Sequence, residues 1–247
     1  MECFEKMSPL ISIIVRTYNE SKHLPELLKS LSDQSFQNYE VVVVDSESTD
    51  QTVNIAKQYG ARVVEIHKTD FNYSYASNVG IESARGKIIC FLSGHSVPAN
   101  NNYLQKIADL FSDEKVGGCY GDVIPLKDGS LTEFVFDYLG ILKGKMKRQN
   151  RIVVETEIHA GILSCSNAAV RAKVFESHKF VNALGRGGED VEMANYILHH
   201  TEYSLVRSPE LLVKHSHGSN FRKFIREYRG WQSMYEDVVS YINSIGE

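Results

Sequence analysis

Long apolar runs are missing from this 247-residue sequence. The longest, around Val41–Val44 and Ile88–Leu92, fall far short of the roughly 20 residues that a helix needs to span a bilayer. The opening MECFEKMSPL lacks the apolar core of a secretory signal. Cysteine is sparse, and Cys3, Cys90, Cys119 and Cys165 show no CxxC spacing. Cys90 and Cys165 sit in apolar runs as small buried hydrophobes, so a reduced, cytoplasmic protein is expected. With 17 glycines and 5 prolines, collagen-like and low-complexity classes drop out. Basic excess is also absent: 27 Lys and Arg face 31 Asp and Glu, a net charge of −4, which gives no support for a nucleic-acid partner. What remains is ordinary globular composition, 43% apolar and 23% charged, at a length that suits one large α/β domain or two small ones.

Continuous apolar strands alternate with helical patterns through the first half. Leu10–Val15, Tyr39–Val44, Ala61–Ile66, Lys87–Leu92 and Gly118–Ile124 read as strands. Between them, Leu24, Leu27, Leu28 and Leu31 mark one helix face, with Asn19 as its expected cap. Ser48 and Gln51 fit a capping box before Val53, Ala56 and Tyr59. Ser74–Arg85 and Asn101–Ser112 read as two further helices. This pattern predicts an α/β fold with a mostly parallel central sheet covered by helices on both faces. Ligands bind such sheets at the carboxyl ends of the strands, here Arg16–Glu20, Asp45–Asp50, His67–Tyr73 and Ser93–Pro98.

The second half is less regular. Ser130 and Glu133 fit a capping box for a helix running to about Leu142, followed by a basic loop over Lys143–Arg151. Ile158–Val170 is apolar and small, and Ala172–Ser177 is a short helix. Gly187-Gly188-Glu189-Asp190 opens a helix through His199. Tyr203–Arg207 and Leu211–Lys214 read as short strands. An apolar stripe from Phe221 marks a last helix, with Arg222, Lys223, Arg226 and Arg229 on the opposite side. Such a helix either packs, within its own chain or against a second copy of it, or rests on the inner face of a membrane. The expected divisions are 9–124, 125–220 and 221–247, the first two being halves of one fold.

Glycine is absent from the turn after the first strand, Arg16-Thr17-Tyr18-Asn19-Glu20, which disfavours a nicotinamide or flavin dinucleotide. There is no GxxxxGK[ST] and no GxSxG, which weakens NTPase and hydrolase readings. The series SIIVRTYNE, VVVVDSESTDQT, ASNVGIESARGKIICFLSGHSVP and GEDVEM, in that order, resembles the family 2 glycosyltransferases of the GT-A fold. Within that family the details look most like bacterial rhamnosyltransferase-type members. The resemblance runs from about Leu10 to His217. It implies an inverting transfer from a nucleoside-diphosphate sugar, with a dTDP- or UDP-sugar expected, and a divalent cation. The implied acceptor is a glycan or a lipid-linked molecule of surface-polysaccharide synthesis.

Residue by residue, the resemblance implies that Thr17 and Glu20 border the nucleoside, Glu20 serving equally as an acid at a helix start. Asp45 matches the acid that accepts from a base or ribose, or else caps its own turn. Ser93, Gly94 and His95 stand where relatives carry the DxD that holds a cation. His95 is therefore a metal ligand or a diphosphate contact, and a nitrogen ligand favours Mn²⁺ over Mg²⁺. His215 and His217, alternate residues after a strand, are the other candidate ligands. Asn78 and Arg85 match positions lining the nucleotide, or hold loops. Ser166 and Asn167 match an acceptor-side segment, or form a turn. Glu189 and Asp190 match the acid pair that carries the base, Asp190 being the expected base and a helix start keeping it ionised. The missing DxD leaves a non-catalytic nucleotide-sugar or glycan-binding protein as an alternative. A nucleotidyltransferase is a weaker one, since RTYNE is neither basic nor glycine-rich.

Overall fold

In a computed structural model, residues 8–135, 151–184, 187–216 and 221–245 are described. Among the described residues nine strands form one sheet: β1 (Ile11–Thr17), β2 (Tyr39–Asp45), β3 (Arg62–Glu65), β4 (Ile88–Ser93), β5 (Val97–Pro98), β6 (Val116–Ile124), β7 (Val153–Val154), β8 (Ala168–Arg171) and β9 (Ser204–Lys214). Their order is β3-β2-β1-β4-β8-β6-β9-β5, with β7 on β9. The β3-β2-β1-β4 core is parallel, as is β6 with β9, while β8 runs antiparallel between β4 and β6. The sheet passes through the expected 124/125 boundary without a break, because β7, β8 and β9 all come from the second half.

Alternation along the apolar strands divides the core into two layers. Ile11, Ile13, Val15, Val43, Cys90 and Leu92 face α1 (Leu24–Ser32), α2 (Thr52–Gln58) and α4 (Tyr103–Leu110). Ile14, Val42, Val44, Ile89 and Phe91 face the other way. That layer is closed by α3 (Tyr73–Ser83), α6 (Val174–Ser177), α7 (Glu189–His200) and α8 (Phe221–Ile245). The four leucines of α1 are buried as their spacing requires, each contributing about 1.5–3 kcal/mol.

The helix starts differ from expectation at two places. Asn19 does not cap α1, whose first turn follows His23; Asn19 adopts φ 54° and its side chain accepts from the Thr49 N–H instead. Ser48 forms no capping box, because its N–H and hydroxyl are spent on Asp45, and Asp50 takes the Thr52 N–H at the start of α2. The box at Ser130 and Glu133 is present: the Ser130 N–H donates to Glu133 Oε2 at 2.7 Å and the Glu133 N–H to Ser130 Oγ at 3.3 Å. It opens α5, described over residues 131–135. The rest of that helix and most of the basic loop lie outside the described residues.

The two short strands expected before His215 are one long strand. Its pairing with β6 shifts register between Tyr120 and Asp122. Gly121 sits at that shift, where a Cβ would stand 1.7 Å from the carbonyl oxygen of Leu211. Backbone cannot yield there as a side-chain tip would. Gly121→Ala is therefore expected to destabilise the protein by about 1–3 kcal/mol or more, measured by urea unfolding. An unchanged midpoint would contradict this packing.

Candidate active site

The carboxyl ends of β1 and β2 are tied into one bracket. The Thr17 hydroxyl donates to Asp45 Oδ1 at 2.8 Å. The Ser48 N–H and hydroxyl donate to the same carboxylate at 2.8 and 2.6 Å. Asp45 is buried. The Asn19 N–H donates to Ser48 Oγ, the Glu20 N–H to Thr52 Oγ1 and the Ser21 N–H to Asp50 Oδ2. Burial alone would raise the Asp50 carboxyl, but the hydrogen bonds from Ser21 and Thr52 outweigh it and hold the group at about 2. Beside Asp45 the Ser46 hydroxyl is buried with no hydrogen-bond partner. A buried polar group in that state is a ready contact for a bound polar molecule.

A second cluster lies after β4. His95 Nδ1 is 2.8 Å from Glu20 Oε1. Gly94 permits that approach, since a Cβ there would stand 2.6 Å from Glu20 Cγ. His215 Nδ1 lies 2.8 Å from Ser96 Oγ and 3.1 Å from Ser93 Oγ, and its ring centroid is 4.5 Å from that of His95. His23 stands edge-on to His95 at 6.5 Å. Among the described residues no three His, Cys, Asp or Glu side chains converge as a cation site. The described residues alone thus do not assemble a protein-built metal centre. His217 lies outside the described residues.

The acid pair occupies the first turn of α7. Gly188 caps it at φ 91°, and a Cβ there would stand 2.3 Å from Val238 of α8, so the glycine is required by both conformation and close approach. Glu189 is buried and its Oε1 meets Arg16 Nη1 at 3.1 Å. Arg16 is the residue that sequence reasoning missed. It extends from β1 to Glu189, Ser77 Oγ (3.2 Å) and the Tyr73 carbonyl (3.3 Å), and lies 5.0 Å from the centre of the Tyr73 ring. A charged residue ending an otherwise apolar strand was the available signal. Through this ion pair the acid pair comes to the same strand end as the Thr17–Asp45 bracket.

Asp190 departs from the expectation of an ionised carboxylate. Burial raises its pKa and the charge of Glu189 raises it further, to about 7. The N–H groups of Val191 and Cys165 and the charge of Arg16 oppose that rise without cancelling it. The helix start therefore loses to desolvation and a like charge.

Asn78 and Asn167 are engaged elsewhere, and Arg85 lies at the other end of the sheet. Asn78 donates to the Phe180 carbonyl at 2.8 Å and accepts from its N–H at 3.1 Å, pinning α3 to the 178–181 segment. The Arg85 N–H bonds Ser12 Oγ and Glu40 Oε1 at the amino-terminal end of the sheet, which puts Arg85 at the wrong end for a nucleotide contact. Asn167 is buried and fully used: its amide donates to the carbonyls of Asp122 and Leu211, and its oxygen accepts from Tyr103, each at 2.8 Å. It is a core hub, not an acceptor contact. Ser166 is half-buried beside it, and its N–H lies 3.5 Å from Ser164 Oγ.

A mixed sheet with polar brackets at its parallel strand ends and an acid pair on a late helix defines a GT-A glycosyltransferase architecture. The description "Glycosyl transferase family 2" matches residues 12–179, and the chain belongs to that family. It is 28% identical over 227 residues to the O-antigen chain rhamnosyltransferase WbaN of Salmonella anatum, covering 89% of this chain and 70% of that protein. Solved structures share the fold. The mannosyltransferase PcManGT from Pyrobaculum calidifontis, in complex with GDP-Man and Mn²⁺, superposes with a TM-score of 0.62 at 17% identity, covering 98% of this chain and 77% of that one. S. aureus TarS 1-349 in complex with UDP gives 0.64 at 18% identity, covering 96% and 72%.

The raised Asp190 has a consequence for stability. A carboxyl whose folded pKa lies above its ordinary 3.8 stabilises the fold when protonated, and that contribution is lost as pH rises from about 4 to about 7. Asp190→Asn removes the penalty. Its Tm should exceed that of the parent at pH 8, by roughly 2–4 °C per kcal/mol recovered, with the difference closing near pH 4. Equal Tm values at every pH would contradict the shift.

Proposed function

We propose that this chain transfers a sugar, with inversion, from a nucleoside diphosphate to a hydroxyl of a glycan or lipid-linked acceptor in surface-polysaccharide synthesis. The single observation that carries the reading is the Arg16–Glu189 contact, which brings a raised carboxyl, Asp190, to the strand ends that hold the Thr17–Asp45 bracket. Family membership and likeness to an O-antigen rhamnosyltransferase favour a deoxysugar carried on dTDP or UDP. The UDP and GDP-Man complexes of fold neighbours are consistent with a nucleotide-sugar partner. No helix among the described residues is long and apolar enough to cross a membrane. Peripheral contact with an anionic surface through exposed Arg222, Arg226 and Arg229 of α8 fits a lipid-linked acceptor.

In this reading the nucleoside rests on Thr17, Asp45 and Ser46, and the diphosphate on Ser93, His95 and His215, with Glu20 orienting the His95 ring. Residues 9–124 carry most of the donor contacts, with His215 added from the second half, and residues 125–220 carry the base. Asp190 takes the proton of the acceptor hydroxyl as that oxygen bonds to the anomeric carbon. The bond from the anomeric carbon to the diphosphate oxygen breaks, and the nucleoside diphosphate leaves. A base titrating near 7 is well matched to a proton transfer at neutral pH.

Turnover should therefore fall as pH drops below about 7. Asp190→Asn should lower it by a factor on the order of 10² to 10⁴, with nucleoside-diphosphate binding little changed, and Glu189→Gln should cost less. Steady-state rates with donor binding measured in parallel check this. Full activity in Asp190→Asn would sink the assignment.

His95→Ala should weaken donor use. With no carboxylate at residues 93–95 to suit a hard cation, Mn²⁺ should support transfer better than Mg²⁺ wherever a cation contributes, and His95→Asp should move preference toward Mg²⁺. Rates in EDTA, Mn²⁺ and Mg²⁺ test this. An unaltered metal response in His95→Asp would contradict it.

A further inference from the structure

Beyond the acid pair, a separate polar array lies where β6, β7 and β9 meet. Arg207 stands opposite Tyr120 on β6 and Val153 on β7. Its Nη2 donates to Asp122 Oδ1 at 2.5 Å, but its Nη1 is buried with no partner. The Tyr120 hydroxyl donates to Glu155 Oε1 at 2.6 Å and lies 3.1 Å from His159 Nε2. The array opens outward: the side chains of Arg207 and Glu155 are each 7% exposed, whereas Asp122 is 22% and His159 34% exposed. The same stretch of chain, 155–167, delivers the Cys165 N–H to Asp190.

Guanidinium has five donors and no acceptor, and a buried one left unused is stabilised by whatever oxygen reaches it. The ligand's character follows from charge. Arg207 is already neutralised by Asp122, and Glu155 adds a second carboxylate, so a bare phosphate is repelled. A neutral ring bearing several hydroxyls can accept from Arg207, donate to the carboxylates and lie on the partly exposed His159 ring, which the buried Tyr120 hydroxyl holds in place. We infer that Tyr120, Asp122, Glu155, His159 and Arg207 form a subsite for a sugar residue of the acceptor. Asn167, matched by sequence to acceptor contact, instead holds the Asp122 and Leu211 carbonyls and so positions the subsite's floor. The word acceptor rests on the transfer reading above; the sugar site itself does not.

The test uses the full chain, with methyl glycosides of rhamnose, mannose, galactose and N-acetylglucosamine as probes and inorganic phosphate as the control. Saturation-transfer NMR reads the probes, and the ring protons of His159 report the protein side. At least one glycoside should take up saturation and shift His159, while phosphate should not. Arg207→Gln and His159→Ala should each weaken that binding roughly tenfold, the worth of a hydrogen bond to a charged or buried group. His159 is partly exposed, so its variant should keep the parent Tm even if Arg207→Gln folds poorly. No glycoside shifting His159, a shift with phosphate alone, or equal binding in His159→Ala would overturn the subsite. Nucleoside-diphosphate binding is followed in the same samples. Glycoside binding without it would leave the subsite standing and remove the transferase reading, and the reverse result would remove only the subsite.

Discussion

A buried ion pair, Arg16 with Glu189, is the interaction on which the site depends. It joins residues 173 apart in sequence, from the end of the first strand to the start of a late helix. Burying both charges is costly, and the cost is met only because Arg16 also bonds Ser77 and the Tyr73 carbonyl and lies against the Tyr73 ring. Removing one partner from such a pair costs about 3–5 kcal/mol, because the other is left charged and alone. The pair also sets the chemistry of its neighbour: Glu189 remains close enough to Asp190 to hold a second carboxyl up.

Packing behind the acid pair keeps it in place. Gly187 and Gly188 adopt φ values of 121° and 91°, and added Cβ atoms would strike Met234 and Val238 of α8. The later half of α8 therefore serves the core, with Val238 fully buried. Its first half differs: Phe221 and Trp231 are exposed alongside Arg222, Arg226 and Arg229. Packing against the core thus falls on the later stretch of this helix.

Much of the architecture was legible in the sequence, because apolar strands with helical stripes between them leave few alternatives to a covered parallel sheet. β1 to β4 and the helices among them lie within a few residues of expectation. The placement of Thr17 and Asp45 at adjacent strand ends and of the acid pair at a helix start was legible too. What escaped reading was long-range. Nothing local says that Asn19 leaves its helix for Thr49, that Arg85 lies at the far end of the sheet, or that Asn167 is saturated by three distant partners. The ionisation of Asp190 was misjudged for the same reason. A helix start is visible in sequence, whereas burial and the charge of Glu189 against it depend on the folded chain.

The central claim is that burial, with the charge of Glu189 fixed beside it by Arg16, holds Asp190 in a protonatable state near neutral pH. Carboxyl-carbon NMR titration of Asp190 in the parent and in Glu189→Gln tests it directly. The account expects a midpoint of about 7 in the parent. Loss of the neighbouring negative charge should bring that midpoint down, since the charge of Arg16 then acts unopposed. A parent midpoint in the ordinary carboxylate range, or one that stays put in Glu189→Gln, would contradict it.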